Sequence, residues 1–133
     1  MSSISALNAR AIVVTTALIY LLPRAVGFSI DLYLDAISAG MQAYLSTPFR
    51  LVFWVLIAWM LLGPIVAGYL VASIGRQAPI LHGIVVGALG LIVWSLGVPW
   101  GPVSYEIVRA VLLLGLAIGG AWFWAYRAAG KAV

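Results

Sequence analysis

Few side chains in this sequence could carry proton-transfer or ligand chemistry: seven lysines and arginines, three acidic residues and one histidine in 133 residues. Asp31 and Asp35 stand four residues apart, so a helix would place both carboxylates on one face. Paired carboxylates act as general acid and base when their surroundings separate their pKa values. Because no histidine stands near them, we interpret them as the solvated face of a helix.

Glu106 and Arg109 form a second candidate pair, three residues apart near the start of the last apolar segment. Side chains at this spacing on a helix are neighbours, so a local ion pair is expected. The residues next to Arg109 are apolar, and an ionisable group below the headgroups is a functional candidate. An arginine about one turn inside a helix can also extend to the headgroups. The sequence therefore predicts a candidate intramembrane polar site at Glu106 and Arg109.

His82 is the sole histidine and the only candidate for cofactor binding. An imidazole could ligate haem or a metal, or donate a hydrogen bond to a quinone. One histidine supplies one ligand per chain, so bis-histidine haem would need a dimer or a partner. A polar residue at a membrane interface explains His82 equally well. We expect no catalytic residue, no metal site and no resident cofactor.

The composition defines the class of protein. Hydrophobic residues make up 65% of the chain and charged residues 8%, and cysteine is absent. A soluble domain is typically about half apolar and about a quarter charged, so the chain is an integral membrane protein and not a soluble enzyme or a nucleic-acid-binding module. The absence of cysteine excludes disulfides, thiolate catalysis and cysteine-ligated iron–sulfur clusters.

The apolar segments predict four transmembrane helices in a single membrane domain over residues 1–133. A spanning helix needs roughly 20 apolar residues, which leaves only short connections and no room for a soluble catalytic domain. The expected fold class is an all-α, polytopic membrane helix bundle. The predicted spans cover about 8–28, 49–75, 80–100 and 104–126.

A different pattern occupies residues 29–46, where apolar residues recur at helical spacing and the polar residues fall on another face. This pattern predicts a separate amphipathic helix in the membrane interface. Ser29 is the expected N-cap, and Asp31 then lies in the first turn. With no lysine or arginine, this helix is expected to pack on the protein's own helices or on a partner.

Two spans carry features that a plain span lacks. Arg10, the apolar run after it, and Ala25 with Gly27 are also typical of a cleavable signal peptide, although we favour a retained first span. In the second span, Gly63 and Pro64 predict a kink, because proline removes one backbone hydrogen bond and clashes with the preceding turn.

Small residues recur at spacings of three and four along three of the predicted spans. Such rows let helix backbones approach closely in lipid. The predicted helix-packing residues are Gly68, Ala72, Gly83, Gly87, Gly90, Gly115 and Gly119.

The basic residues predict the orientation, because cytoplasmic loops of membrane proteins are enriched in lysine and arginine. We expect a multi-pass protein of the bacterial cytoplasmic (inner) membrane with both termini in the cytoplasm. The expected cytoplasmic cations are Arg10, Arg76, Arg127 and Lys131. The opposite side carries Arg24, Arg50 and Arg109, together with Asp31, Asp35 and Glu106.

The run from Gly63 to Gly87, GPIVAGYLVASIGRQAPILHGIVVG, resembles a hairpin of small bacterial four-helix membrane proteins of unknown function. The likeness lies in a Gly/Ala-rich helix, a turn with one arginine, and Leu81, His82 and Gly83 at the start of a second Gly-rich helix. It implies a four-helix membrane bundle and no catalytic residue.

Three functions are compatible with these features. The first is a non-enzymatic membrane protein that acts as a homo-oligomer or as a small structural or assembly subunit of a membrane complex. Its partners would be the lipid bilayer and either itself or other membrane subunits, with no nucleic acid. The alternatives are a channel or carrier for a small solute, with Pro64 and Arg109 lining the path, and a haem- or quinone-binding anchor that uses His82.

Overall fold

The computed structural model describes residues 7–36, 49–96 and 101–132, and its regular structure there is entirely helical. The four helices are α1 (Ala9–Ala36), α2 (Phe49–Gly75), α3 (Pro79–Ser95) and α4 (Val103–Lys131). This architecture confirms the all-α helix bundle. By length and composition, α1, α2 and α4 can cross a membrane. The apolar helix α3 has 17 residues, or about 25 Å, which is shorter than the roughly 30 Å hydrocarbon core.

Helix α1 continues through Ser29, so the predicted break between a first span and a separate interfacial helix is wrong at this residue. Ser29 is not an N-cap: its hydroxyl donates to the carbonyl of Ala25 at 2.8 Å, one turn back within the same helix. Serine commonly satisfies itself in this way in a helix interior. The rest of the predicted interfacial helix, from residue 37 to residue 46, lies outside the described residues.

Two of the other predicted ends differ from the structure. Helix α2 has the predicted bounds, whereas α3 ends at Ser95, short of the predicted end near residue 100, and α4 continues to Lys131, beyond the predicted end near residue 126. Leu96 is already extended, with φ −65° and ψ 124°. The sequence continues with Gly97 and Pro99, and residues before a proline avoid helical conformation. Residues 97–100 themselves lie outside the described part of the chain.

One turn of α1 is π-helical, over Ala17–Leu21, and it ends two residues before Pro23. Proline has no N–H, so the carbonyl of Ile19, four residues earlier, cannot receive its usual α-helical hydrogen bond. The indole N–H of Trp59 on α2 donates to that carbonyl at 3.0 Å. A carbonyl that Pro23 leaves free therefore joins α1 to α2.

The predicted proline kink in α2 does not interrupt the helix. Pro64 is almost completely buried, and α2 is a continuous α-helix that runs through it. A Cβ atom on Gly63 would lie 3.1 Å from the indole nitrogen of Trp59. Gly63 therefore makes room for the tryptophan that binds α1.

Helices α2 and α4 touch through their backbones. A Cβ atom built on Gly68 would overlap the carbonyl of Ala117, and one built on Gly120 would overlap the carbonyl of Ile65. Ala67 and Ala117 have no exposed surface at this contact. Only glycine permits such an approach, which maximises dispersion contacts between helices in lipid.

The glycines of α3 also pack inside the chain. A Cβ on Gly83 would lie 2.8 Å from the Cβ of Ala121, and one on Gly87 would lie 3.1 Å from the Cβ of Ala117. The ring of Tyr20 on α1 occupies the space over Gly90. Helices α2, α3 and α4 thus form a close three-helix unit, and α1 packs on α2 and α3.

Helices α2 and α3 form an antiparallel hairpin through a very short turn, as the sequence predicts. Arg76 and Ala78 both have positive φ, 56° and 44°. Pro79 follows as the first residue of α3, where a missing N–H costs nothing. The turn places the end of α2 beside the start of α3.

The charged residues lie at two ends of the bundle. At one end, called the basic end, α1 starts, α2 meets α3, and α4 finishes. At the other, called the mixed end, α3 finishes and α4 starts. The basic end carries Arg10, Arg76, Arg127 and Lys131, and the mixed end carries Arg24, Arg50, Arg109, Asp31, Asp35 and Glu106.

Two adjacent glycines test the α2–α4 contact. We expect Gly120→Ala to destabilise the protein by at least about 2 kcal/mol, because the added methyl group meets the backbone of α2. In the monomer, Gly119→Ala should instead stabilise the fold by about 0.5–1 kcal/mol, since nothing in the chain lies within 4 Å of a Cβ there and alanine favours helix. Unfolding followed by circular dichroism in detergent measures both. Equal effects of the two substitutions would contradict the packing described.

Candidate functional site

Two arginines bind the carboxyl end of α3 at the mixed end of the bundle. Arg24 on α1 donates from Nη2 to the carbonyl of Leu96 at 2.6 Å. Arg109 on α4 donates from Nη2 to the hydroxyl of Ser95 at 3.1 Å. The last carbonyls of a helix lack partners within it and carry the negative end of its dipole, so cations stabilise them.

Glu106 positions one of these arginines. Its Oε2 accepts from Nη2 of Arg109 at 2.5 Å, and its Oε1 accepts from the backbone N–H of Gly101 at 3.0 Å. The side chains of Arg109 and Glu106 are 11% and 15% exposed, so the pair is largely buried. The structure therefore contains the local ion pair that the spacing predicts, and it joins that pair to Ser95 on the neighbouring helix.

Arg24 is held by a second contact, since its guanidinium carbon lies 6.0 Å from the centre of the Trp94 ring. The Nε atoms of Arg24 and Arg109 are buried and have no acceptor among the described residues. Asp31 lines the same cleft of about 190 Å³ as Arg24 and Trp94, between α1 and α2. Asp35 is exposed, in agreement with the expected solvated helix face.

This cluster can fix helix ends and stabilise charge. Each oxygen of the Glu106 carboxylate accepts one hydrogen bond, and both bonds hold other parts of the fold in place. Within the described residues, no group of three or more histidine, cysteine, aspartate or glutamate side chains could hold a metal ion. The interactions made by the cluster are those of a structural junction between α1, α3 and α4.

His82 lies at the basic end and is completely buried. Its Nε2 is 2.9 Å from the backbone N–H of Asn8, which precedes α1, and its Nδ1 is 3.0 Å from the carbonyl of Ala78. A neutral ring that carries its proton on Nδ1 satisfies both contacts. The ring also fills the space over Gly75, where a Cβ would lie 2.6 Å from Nε2.

Through these contacts His82 joins the start of α1 to the start of α3. The side chain of Asn8 accepts from the N–H of Ala11 at 3.1 Å and so caps α1, while its own N–H is bound by His82. A haem iron or a metal could coordinate the ring only after one of the two hydrogen bonds had broken. The geometry gives no support to the use of His82 as a ligand.

Pro64 and Arg109, which the channel hypothesis places on one path, are not brought together. Pro64 precedes Ile65, whose carbonyl contacts the backbone at Gly120. Arg109 stands eleven residues before Gly120 on α4, which corresponds to about 16 Å along the helix. Arg109 contacts the end of α3 and not the middle of α2.

The predicted helix-packing residues fall into two groups. Gly68, Ala72, Gly83, Gly87 and Gly90 are buried within the chain, as their spacing predicts. Gly115 and Gly119 are exposed and have nothing within 4 Å of a Cβ position, so they take no part in packing within the described chain. On α4 the buried stripe is instead Leu113, Ala117, Gly120 and Ala121.

Sequence reasoning missed several residues that organise the bundle. Trp59 and Arg24 bind carbonyls of other helices, and Asn8 receives the contact from His82. The signal for Trp59 was present in Pro23, which leaves the carbonyl of Ile19 without its normal donor. No such signal marked Arg24, because the sequence predicted a third span that reaches residue 100, and α3 ends at Ser95.

Comparisons of this chain with protein-family models, with curated proteins and with solved structures give no match. The likeness of the hairpin over residues 63–87 to small four-helix membrane proteins therefore stays a prediction. The fold itself places the chain among polytopic helical membrane proteins, since three of its helices are long and apolar enough to cross a membrane.

The structural role of His82 in joining α1 to α3 can be tested by substitution. We expect His82→Leu to destabilise the protein by about 1–3 kcal/mol, because it leaves the N–H of Asn8 without its acceptor and removes the ring's bond to the carbonyl of Ala78, which keeps only the backbone N–H of residue 82. His82→Gln should lose less, since its amide can still accept from Asn8. Thermal unfolding in detergent measures the difference. Haemin added to the wild-type protein should give no Soret shift, and a shift that His82→Leu abolishes would contradict this role.

Proposed function

We propose that this chain is a non-enzymatic protein of the bacterial cytoplasmic membrane that works by packing α4 against a second membrane chain. The favoured partner is another copy of itself, which makes the protein a homo-oligomer. A role as a small subunit of a larger membrane complex uses the same surface. The observation that carries the proposal is the outward-facing row of Gly115 and Gly119 on α4.

This row forms an apolar strip on the exposed face of α4. The strip is small at its centre, where the two glycines stand one turn apart, and large at its ends. Trp122 and Tyr126 stack at one end, with their ring centres 5.7 Å apart. The strip consists of exposed residues of α4, namely Val108, Val111, Leu112, Gly115, Gly119, Trp122 and Tyr126.

Symmetry favours a second copy of this chain as the partner. Copies of one membrane protein share one orientation, so a two-fold axis between them runs along the membrane normal. That axis places Gly115 and Gly119 of one copy opposite the same residues of the other. Two glycine rows can approach until the backbones touch, which is the arrangement that drives helix association in lipid.

The distribution of charge supports the membrane placement. The basic end carries four cations and, among the described residues, no carboxylate, whereas the mixed end carries all three acidic residues. The enrichment of lysine and arginine on the cytoplasmic side favours a cytoplasmic basic end, and both ends of the described chain lie there. No charged residue lies in α4 between Arg109 and Arg127.

The α4 strip can be tested in liposomes. We expect Gly115→Leu to weaken self-association on the order of tenfold, because the leucine side chain separates the two backbones. Single-molecule photobleaching of labelled full-length protein, diluted across a range of lipid ratios, measures the dissociation constant. Gly130→Leu is the matched control, since Gly130 is equally open but lies beyond the strip.

Wild-type protein that is monomeric at every dilution, with no co-purifying membrane chain, would overturn the proposal. So would self-association that Gly115→Leu and Gly130→Leu leave equally strong. A different membrane protein that co-purifies with wild type and is lost with Gly115→Leu would establish the subunit form.

The orientation is testable because the chain has no cysteine, so any introduced cysteine is the only one. Val103 is 75% exposed at the mixed end, and Lys131 is exposed at the basic end. In intact spheroplasts, a membrane-impermeant maleimide should label Val103→Cys. Lys131→Cys should be labelled only after lysis. The reverse pattern would show that the basic end faces outward.

A further inference from the structure

A cleft of about 380 Å³ opens at the basic end between the last turns of α2 and α4. Its size falls within the roughly 300–1,000 Å³ of small-molecule clefts. Three of its side chains are cationic and no carboxylate lines it. The lining side chains that could contact a ligand are Tyr69, Ser73, Arg76, Trp124, Arg127 and Lys131.

The positive charge in the cleft exceeds the negative charge of the two helix ends beside it. The carboxyl ends of α2 and α4 both lie here, and each carries roughly half a negative elementary charge. Together they offset about one of the three cations. Arg76, Arg127 and Lys131 therefore leave an excess of about two positive charges in one cleft.

These cations also lack strong partners in the part of the chain that the structure describes. Among the described residues, no ion pair and no side-chain hydrogen bond engages Arg76, Arg127 or Lys131. Arg127 is positioned by an aromatic contact, with its guanidinium carbon 5.9 Å from the centre of the Phe123 ring. Phe123 in turn packs against Tyr69 across the α2–α4 contact, at 6.2 Å between ring centres.

The depth of the cleft matches the headgroup layer. Arg109 and Arg127 are 18 residues apart on α4, or about 27 Å, close to the thickness of the hydrocarbon core. With Arg109 at one surface, Arg127 lies at the other. Tyr69 and Trp124 add an O–H and an N–H donor at a level where amphipathic rings are favoured.

We infer that this cleft binds a phosphate-bearing anion, through Arg76, Arg127 and Lys131 with Tyr69 and Trp124 as further donors. Guanidinium groups bind phosphate oxygens in a bidentate manner, and basic pockets between membrane helices suit phospholipid headgroups. The phosphodiester of an anionic lipid and free inorganic phosphate present the same chemistry to these residues. The inference does not depend on the proposed oligomer.

Native mass spectrometry of the full chain in detergent tests the cleft. We expect phosphatidylglycerol to bind at least about tenfold more tightly than phosphatidylcholine, and the double variant Arg76→Gln/Arg127→Gln to lose on the order of tenfold of that affinity. The matched control is Arg10→Gln/Arg50→Gln, which removes the same charge from exposed positions outside the cleft. It should bind as wild type does.

The variant Lys131→Gln separates weaker binding from a folding defect. Lys131 is exposed in the last turn of α4, away from the packed core, so its substitution should leave the fold intact. It should weaken binding about threefold without changing the melting temperature. A second titration uses inorganic phosphate alone and follows the melting temperature. Stabilisation by phosphate that is lost with Arg76→Gln/Arg127→Gln identifies a soluble anion, whereas binding of phosphatidylglycerol alone identifies a lipid.

Two results would overturn the inference. One is phosphatidylglycerol binding that falls equally in Arg76→Gln/Arg127→Gln and in Arg10→Gln/Arg50→Gln, since this would reflect net charge only. The other is a correctly folded wild-type protein that binds neither phosphatidylglycerol nor phosphate more tightly than phosphatidylcholine.

Discussion

The contact between the backbones of α2 and α4 at Gly68 and Gly120 is the constraint on which the rest of the bundle depends. In lipid, no hydrophobic force brings helices together, so the stability of the pair comes from close packing. With these two helices in direct contact, α3 fits against α4 through Gly83 and Gly87, and against α2 where the ring of His82 covers Gly75. The same contact brings Tyr69 next to Phe123 and so sets the width of the cleft at the basic end.

Helix α1 packs on this unit through buried side chains such as Tyr20, and polar contacts along its length hold it as well. The ring of His82 binds it at its start, the indole of Trp59 binds its π-helical turn, and Arg24 joins it to the end of α3. Each such bond contributes only about 0.6–2 kcal/mol between helices in lipid. The molecule therefore combines a three-helix unit stabilised by packing with a fourth helix positioned by specific hydrogen bonds.

The sequence predicted the positions of the helices better than it predicted which helix faces pack against each other. The bounds of α2 and the start of α1 follow from local signals, because a capping residue, a proline or a glycine stands close to each of these helix ends. The face of α4 that packs against α2 does not follow from local signals. A helix that is apolar on every face has several rows of small residues with equal spacing, and any of them could form the contact. Gly119 and Gly120 differ in role only because α2 lies on one side. Likewise, Ser29 reads as a cap locally, but the helix continues and buries Leu34 beyond it.

The short length of α3 has a consequence for the surrounding bilayer. Helix α1 runs twelve residues beyond Arg24, about 18 Å, whereas α3 stops at that level. At about 25 Å, α3 is shorter than the roughly 30 Å hydrocarbon core, and flanking side chains or local thinning of the bilayer compensate for such a mismatch. Here the flanking side chains come from other helices, since Arg24 and Arg109 reach the last residues of α3 from α1 and α4. A short helix can therefore end below the level of its neighbours, because guanidinium groups supply the donors that water would otherwise provide.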